Sequence, residues 1–160
     1  MTSNAYINRI RKAYVGELVG ERLYRALGLE CEHPQNRIKF LVIAAVEALT
    51  NQRLRPMATR LGIEPDEAEM RMTIERRARE LRQLSWREFI RKAACDWPPY
   101  IAEFEALAAA AAPGDESVLQ GLVAHERALV QFVAIEADAL AEGTCENSLA
   151  PLHDYLSGQR

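Results

Sequence analysis

Apolar residues recur at helical spacing along most of the chain, and no segment shows the period-two alternation typical of strands. Ala, Leu, Arg and Glu, which favour helices, dominate the segments between proline and glycine breaks. We expect a first helix over residues 4–27 and a second over residues 36–61, ended by Gly28 and Gly62 and separated by a turn at Pro34. The pattern therefore predicts an all-α protein that begins with a long helical hairpin.

Shorter elements are predicted in the middle of the chain. Pro65, Asp66 and Glu67 open a third helix, because proline suits the first turn and acids there complement the helix dipole. Five arginines between positions 71 and 82 indicate that this helix is largely solvated. Further helical segments are expected over residues 86–95 and 100–112.

A second long hairpin is predicted around Pro113 and Gly114. Its second helix should begin near Asp115 or Ser117, either of which can act as an N-cap, and end before Gly143. A short helix is expected over residues 148–156. Together these elements predict one domain over residues 1–160, an up-down bundle of two long hairpins with an extra crossover helix.

Four glutamates are expected to lie at similar heights in the two hairpins. Glu21 and Glu47 each lie thirteen residues from the proline of the first turn. Glu103 and Glu126 lie eleven and twelve residues from the glycine of the second turn. At about 100° per residue, Glu21 and Glu126 fall on the apolar faces of their helices, and Glu103 falls at the edge of its face. Glu47 is the only charge in residues 40–51, a run that is apolar on all sides of its helix, which indicates a central helix. The spacing thus predicts that carboxylates from four helices converge.

Convergence of acids in an apolar interior requires compensation, because burying an ionised, unpaired carboxylate costs several kcal/mol. A shared cation, a shared proton or an arginine network would supply it. Glu17 is an alternate to Glu21 on the same face, and Glu105 competes with Glu103 from the other edge. His125 is a third alternate, although it points about 100° away from Glu126 and is expected at the surface or boundary. For Glu17 and Glu21 the competing interpretation is pairing with Arg53 or Arg55.

This arrangement resembles the ferritin-like di-iron carboxylate proteins, in which two helical hairpins each provide a lone Glu and a Glu-x-x-His pair. The resemblance covers roughly residues 4–143. It implies a metal site at Glu21, Glu47, Glu103 and Glu126, with Fe or Mn as cofactor and oxidoreductase activity. Thr50 and Leu129 stand where the family has its two histidines, so carboxylates would have to replace the nitrogen ligands.

Charge, apolar runs and cysteine positions argue against several classes of function. The net charge of -3 argues against a nucleic-acid partner, which usually selects a basic surface. No apolar run reaches the ~18 residues of a membrane span, and the N-terminus lacks the pattern of a signal peptide. The three cysteines are far apart and form no CxxC motif, which indicates reduced thiols. We therefore expect a cytoplasmic protein with neither nucleic-acid nor membrane partners.

Two further functions remain open. The chain could be a metal-free bundle that serves as a binding or dimerisation module, with a homodimer or an unspecified small molecule as partner. Residues 57–63 also look like the first helix and turn of a helix-turn-helix motif. Four acids at positions 64, 66, 67 and 69 would then face DNA phosphates, which disfavours that interpretation.

Overall fold

The computed structural model describes residues 4–144 and 147–158, and all regular structure in these ranges is helical. The predicted all-α class is confirmed. The helices are α1 (Asn4–Glu30), α2 (Pro34–Arg60), α3 (Glu67–Leu81), α4 (Trp86–Asp96), α5 (Pro98–Ala109), α6 (Glu116–Glu142) and α7 (Ala150–Ser157).

Helices α1 and α2 form the predicted antiparallel pair. Gly20 lies against Glu47 and Gly28 against Leu41, so later residues of α1 contact earlier residues of α2. The predicted stop at Gly28 is wrong, since α1 continues to Glu30. A Cβ at Gly28 would lie 2.8 Å from Leu41 Cδ2, so this glycine permits close helix packing. Pro34 does not break the chain in the turn; it begins α2, where its missing N–H costs nothing.

The crossover consists of two capped helices. The Asp66 carboxylate accepts hydrogen bonds from the backbone N–H groups of Ala68 and Glu69 at the start of α3. Ser85 and Glu88 form a capping box at the start of α4. Helix α3 packs against α1 and α4 against α6, so the crossover connects the two halves of the molecule.

Helix α5 packs against α6, and α7 packs against both α2 and α6. Helix α5 ends at Ala109, three residues before the predicted end. Asp115 precedes α6, but its carboxylate does not cap that helix. It accepts hydrogen bonds from the Tyr6 hydroxyl at 3.0 Å and from the Arg60 guanidinium, and so links the start of α6 to α1 and α2.

The apolar core consists of two clusters. One contains the second part of α1, the first part of α2 and the second part of α6, together with residues of α4 and α7. The other contains the first part of α1, the second part of α2 and the first part of α6. On α1, α2 and α6 the boundary between the clusters falls near positions 20, 50 and 125. Buried polar side chains occupy this boundary layer.

Helix α6 is long and apolar enough to cross a bilayer by length and composition. Half of its most apolar window is buried inside the protein. Leu119, Leu122, Leu129 and Phe132 of this helix lie in the two core clusters. We therefore treat α6 as a core helix.

Candidate metal centre

Three helices each place one ionisable side chain in the boundary layer between the apolar clusters. Glu17 comes from α1, Glu47 from α2 and His125 from α6, and they are 4%, 7% and 1% exposed. His125 Nε2 lies 3.3 Å from Glu17 Oε2 and 3.2 Å from Glu47 Oε2. One donor atom from each residue lies within 4.8 Å of the other two, so the group can hold a metal ion.

These short distances are not hydrogen bonds. Glu17 Oε2 and both ring nitrogens of His125 are buried and have no hydrogen-bond partner among the described residues. The distances alone would suggest an ion pair, but hydrogen bonds also require alignment, which these contacts lack. An unsatisfied buried polar atom typically costs about 1–3 kcal/mol. Glu17 Oε2 and the His125 ring nitrogens therefore face a shared space that no hydrogen bond between these two side chains fills.

The spacing suits coordination of one ion. Nitrogen and oxygen ligands lie about 2.0–2.2 Å from Zn and similar transition-metal ions, which places neighbouring ligands about 3.0–3.5 Å apart in octahedral or tetrahedral geometry. The two measured separations, 3.2 and 3.3 Å, fall in this range. Mixed imidazole and carboxylate donors suit ions such as Fe and Mn.

Glu126 is a third acid, beside this group, and is 5% exposed. Burial raises its pKa to about 7; the nearby His125 lowers it and the charge of Glu47 raises it. The pKa of Glu17 is raised well above its usual value by burial, then by the charge of Glu47 and a hydrogen bond with it, and by Glu126. The site is therefore acidic enough to attract a cation and dry enough to retain protons without one.

Gly20 makes room for this group. A Cβ at position 20 would lie 2.8 Å from both Cδ and Oε1 of Glu47, closer than real Cβ contacts. A glycine in the middle of a helix costs about 1 kcal/mol relative to alanine, and here it allows α1 to approach the buried carboxylate. Apart from the glycine itself, nothing in the sequence indicates this contact.

The structure brings together part of the predicted set. Glu47 and Glu126 are buried near each other, as expected. Glu21 lies at the edge of the site with its side chain 23% exposed, and it accepts hydrogen bonds from Asn51 Nδ2 and Arg25. Its alternate Glu17, one helical turn earlier, is the inward-facing acid of α1.

The prediction that His125 lies at the surface or boundary is wrong. The 100° offset from Glu126 follows from helix geometry, but α6 is covered by other helices on more than one side. Helix α7 covers the additional face, and the Tyr155 ring centroid lies 5.9 Å from that of His125. Thr50, which stands at an expected histidine position, donates to the backbone oxygen of Val46 and is hydrogen-bonded to the Tyr155 hydroxyl at 2.7 Å.

Helix α5 places neither of its two candidate acids in the boundary layer. Glu103 is half-exposed and pairs with Lys12 at 2.9 Å. Glu105 is exposed and pairs with Arg127 at 2.5 Å. By sequence, both acids lie at edges of the apolar face of α5. In the structure, both side chains point towards solvent and pair with surface cations. The predicted arginine pairing also differs: Arg53 lies over the Tyr155 ring at 5.1 Å, and Glu21 pairs with Arg25.

A cavity of about 870 Å³ adjoins the boundary layer. Glu17, Glu47, His125 and Glu126 all contribute to its lining, together with residues of α3, α4 and α5. The candidate metal centre therefore borders a space that has the size of a small-molecule site.

No protein-family model, curated protein or solved structure matches this chain.

Proposed function

We propose that this protein is a ferritin-like bundle that binds a divalent transition-metal ion, Fe or Mn, and acts as a metal-dependent oxidoreductase. Glu17, Glu47 and His125 would hold the ion, and Glu126 would lie beside it. The observation that carries the proposal is that Glu17 Oε2 and His125 Nε2 are buried without hydrogen bonds among the described residues, with a Glu47 oxygen within ligand spacing of both.

The helix order supports the ferritin-like assignment. The long helices α1 and α2 pair as one hairpin, α5 packs on α6, and α3 and α4 connect the two pairs. Glu47 and Glu126 occupy positions that the resemblance assigns to metal-binding acids. His125 supplies an imidazole from the residue before Glu126, in place of the residue three positions after it.

Each residue has a distinct task in this proposal. Glu17 and Glu47 neutralise the charge of the ion, and His125 adds the nitrogen donor. Glu126, with its pKa raised to about 7 chiefly by burial, can hold or release a proton near neutral pH. When bound, Fe or Mn supplies one-electron redox chemistry next to the cavity.

Metal analysis of protein purified without chelator tests the proposal. We expect close to one equivalent of Fe or Mn, or its recovery after anaerobic reconstitution. His125→Ala and Glu47→Gln should each lose this metal, because each removes a donor atom. His153→Ala is the matched control, since His153 is exposed on α7 and distant from the donor set.

A metal content that stays near zero after reconstitution, or equal metal retention in His125→Ala and His153→Ala, would contradict the proposal. Loss of metal from an unfolded variant would be uninformative, so circular dichroism accompanies each measurement. Glu47→Gln provides a second folded variant in which shape is preserved and only the charge is removed.

One observation favours a second candidate, a metal-free bundle that acts as a binding module. Because burial and a hydrogen bond with Glu47 raise the pKa of Glu17, a shared proton can compensate part of the buried charge. Under this candidate the wild-type protein shows no thermal shift with Mn or Fe. Ligand binding in the cavity would then be its only activity.

A further inference from the structure

In the part of the chain that the structure describes, three arginine or lysine side chains line the cavity, and two of them already have partners. Arg9 donates to the backbone oxygen of Glu103 at 3.1 Å, and Lys12 pairs with the Glu103 carboxylate. Arg77 of α3 is half-buried, and within the described ranges it forms no ion pair or side-chain hydrogen bond. A partly buried guanidinium without an anion is costly, so a carboxylate that enters the cavity would gain a charge-assisted contact there.

The cavity is lined by aromatic side chains on the α5 side and by glycine on the α1 side. Tyr100 and Phe104 of α5 stack with ring centroids 6.0 Å apart, and Trp97 and Tyr24 also contribute to the lining. On the α1 side the lining includes Gly16, where an added Cβ would meet no atom within 4 Å. A flat ring can lie against such an aromatic wall, because offset and edge-to-face contacts add to its burial.

The acids of the lining do not prevent an anion from binding. Asp96 pairs with Lys92 at 2.7 Å, and Glu103 pairs with Lys12. The remaining acids are those of the candidate metal centre, whose charge a bound divalent ion would offset. Among the described residues that line the cavity, Arg77 is then the cation that is still available.

We propose that the cavity binds an aromatic carboxylate, with the acid group paired to Arg77 and the ring system between α1 and the aromatic side chains of α5. This inference rests on the proposed function in one respect, since it names the substrate class of the metal centre. The pairing with Arg77 is a property of the cavity and can be tested with and without metal.

The test uses 2-naphthoate and its neutral analogue 2-naphthamide as probes, with calorimetry on the wild-type protein with and without Mn(II). We expect naphthoate to bind about tenfold more tightly than the amide, since a charge-assisted contact is typically worth that factor. Arg77→Gln should remove this preference. Arg79→Gln is the matched control, because Arg79 is exposed on the same helix and does not line the cavity.

Gly16→Leu is a second variant that leaves all charges in place. Its side chain extends from a position with open space around it and should block both probes while circular dichroism is unchanged. Cys95 lines the cavity and is exposed, so naphthoate should slow its alkylation. Cys31, outside the cavity lining, is the internal reference, and peptide mass spectrometry separates both from Cys145, which lies outside the described residues.

Equal affinity for naphthoate and naphthamide would overturn the inference, as would an unchanged preference in Arg77→Gln or the absence of naphthoate binding in both metal states. Metal content is measured on the same samples. Protein that binds metal but not naphthoate refutes the inference alone. Protein that binds naphthoate through Arg77 but takes up no metal refutes the metal centre alone.

Discussion

At the scale of single residues, two glycines of α1 have opposite surroundings although they lie one turn apart. A Cβ at Gly20 would collide with the Glu47 carboxylate, whereas a Cβ at Gly16 would point into the cavity. Both sit in the interior of a helix, where glycine is the less stable choice compared with alanine. The difference between them therefore isolates the effect of the close approach from that of helix propensity.

We predict that Gly20→Ala destabilises the protein by about 1–3 kcal/mol, because the new methyl group must displace a buried carboxylate. It should also reduce metal binding, since Glu47 is one of the three donors. Gly16→Ala should instead stabilise the fold by about 0.5–1 kcal/mol. Urea unfolding of both variants measures this contrast, and shifts of the same sign in both would contradict it.

Glu47 allows a second residue-scale prediction. In metal-free protein, Glu47→Gln should raise the melting temperature, because it removes a charge that opposes Glu17 and Glu126. The same variant should show no further rise when Mn(II) is added, whereas the wild-type protein should be stabilised by about 2.7 kcal/mol at a hundredfold excess over Kd. Differential scanning calorimetry distinguishes these outcomes, and an Mn-induced rise in the variant would exclude Glu47 as a ligand.

At the scale of helices, buried acids outside the metal centre connect elements that are distant in sequence. Glu136 of α6 accepts from Lys39 Nζ of α2 at 2.5 Å, from Trp86 Nε1 of α4 at 2.7 Å and from Ser148 Oγ at 2.5 Å. Asp115 plays a similar part at the other end of α6, where it accepts from Tyr6 and Arg60. Both acids are fully bonded, in contrast to Glu17.

The Glu136 network predicts a pH-dependent stability. Burial alone would raise the pKa of Glu136, but hydrogen bonds from Lys39, Ser148 and Trp86 lower it below its usual value of 4.5. Because the pKa is lowered, the stabilisation that ionised Glu136 contributes is fully present above its unfolded-state pKa. It is lost as the pH falls through the folded-state pKa. The stability difference between wild type and Glu136→Gln should therefore shrink below about pH 4.5. Urea unfolding at pH 7 and at about pH 3.5 measures it, and a constant difference would contradict it.

The link at Asp115 gives a prediction for the start of α6. Asp115→Ala should cost about 1–3 kcal/mol, because the Tyr6 hydroxyl loses its carboxylate acceptor in a buried environment. Ser117→Ala should leave stability within about 0.5 kcal/mol, since Ser117 is exposed. Thermal unfolding of the two variants compares them. Equal losses in the two variants would contradict a specific role of the Asp115 link to α1 and α2.

At the scale of the whole molecule, the polar layer divides the core into two apolar clusters at the same level of α1, α2 and α6. An all-apolar layer at this level would have been more stable, because each buried acid costs free energy unless it is compensated. The acids at this level border the cavity, and Glu136 and Asp115, which do not, are bonded. This distribution favours a binding role for the layer over a structural one.

Much of this arrangement could be read from the sequence for local reasons. Proline and glycine positions and helical periodicity gave the helix order, and the isolation of Glu47 in an apolar run placed it in the interior. The predictions for Glu103 and Glu105 differ from the structure because both lie at an edge of the apolar face of their helix. There, a small rotation of the helix decides whether a side chain points into the core or into solvent. Gly28 and Pro34 were misassigned because their roles depend on a neighbouring helix and on the exact start of α2.

Periodicity along single helices determined the all-α class and predicted that Glu126 is buried, because each helix needs an apolar face whatever it packs against. The apolar run around Glu47 predicted in the same local way that Glu47 is buried. Only the tertiary structure decided that Glu17 and not Glu21 faces the centre, that α7 encloses His125, and that α1 and α5 border a cavity. These outcomes depend on which faces are covered by other helices, and that information belongs to the packing and not to any one segment.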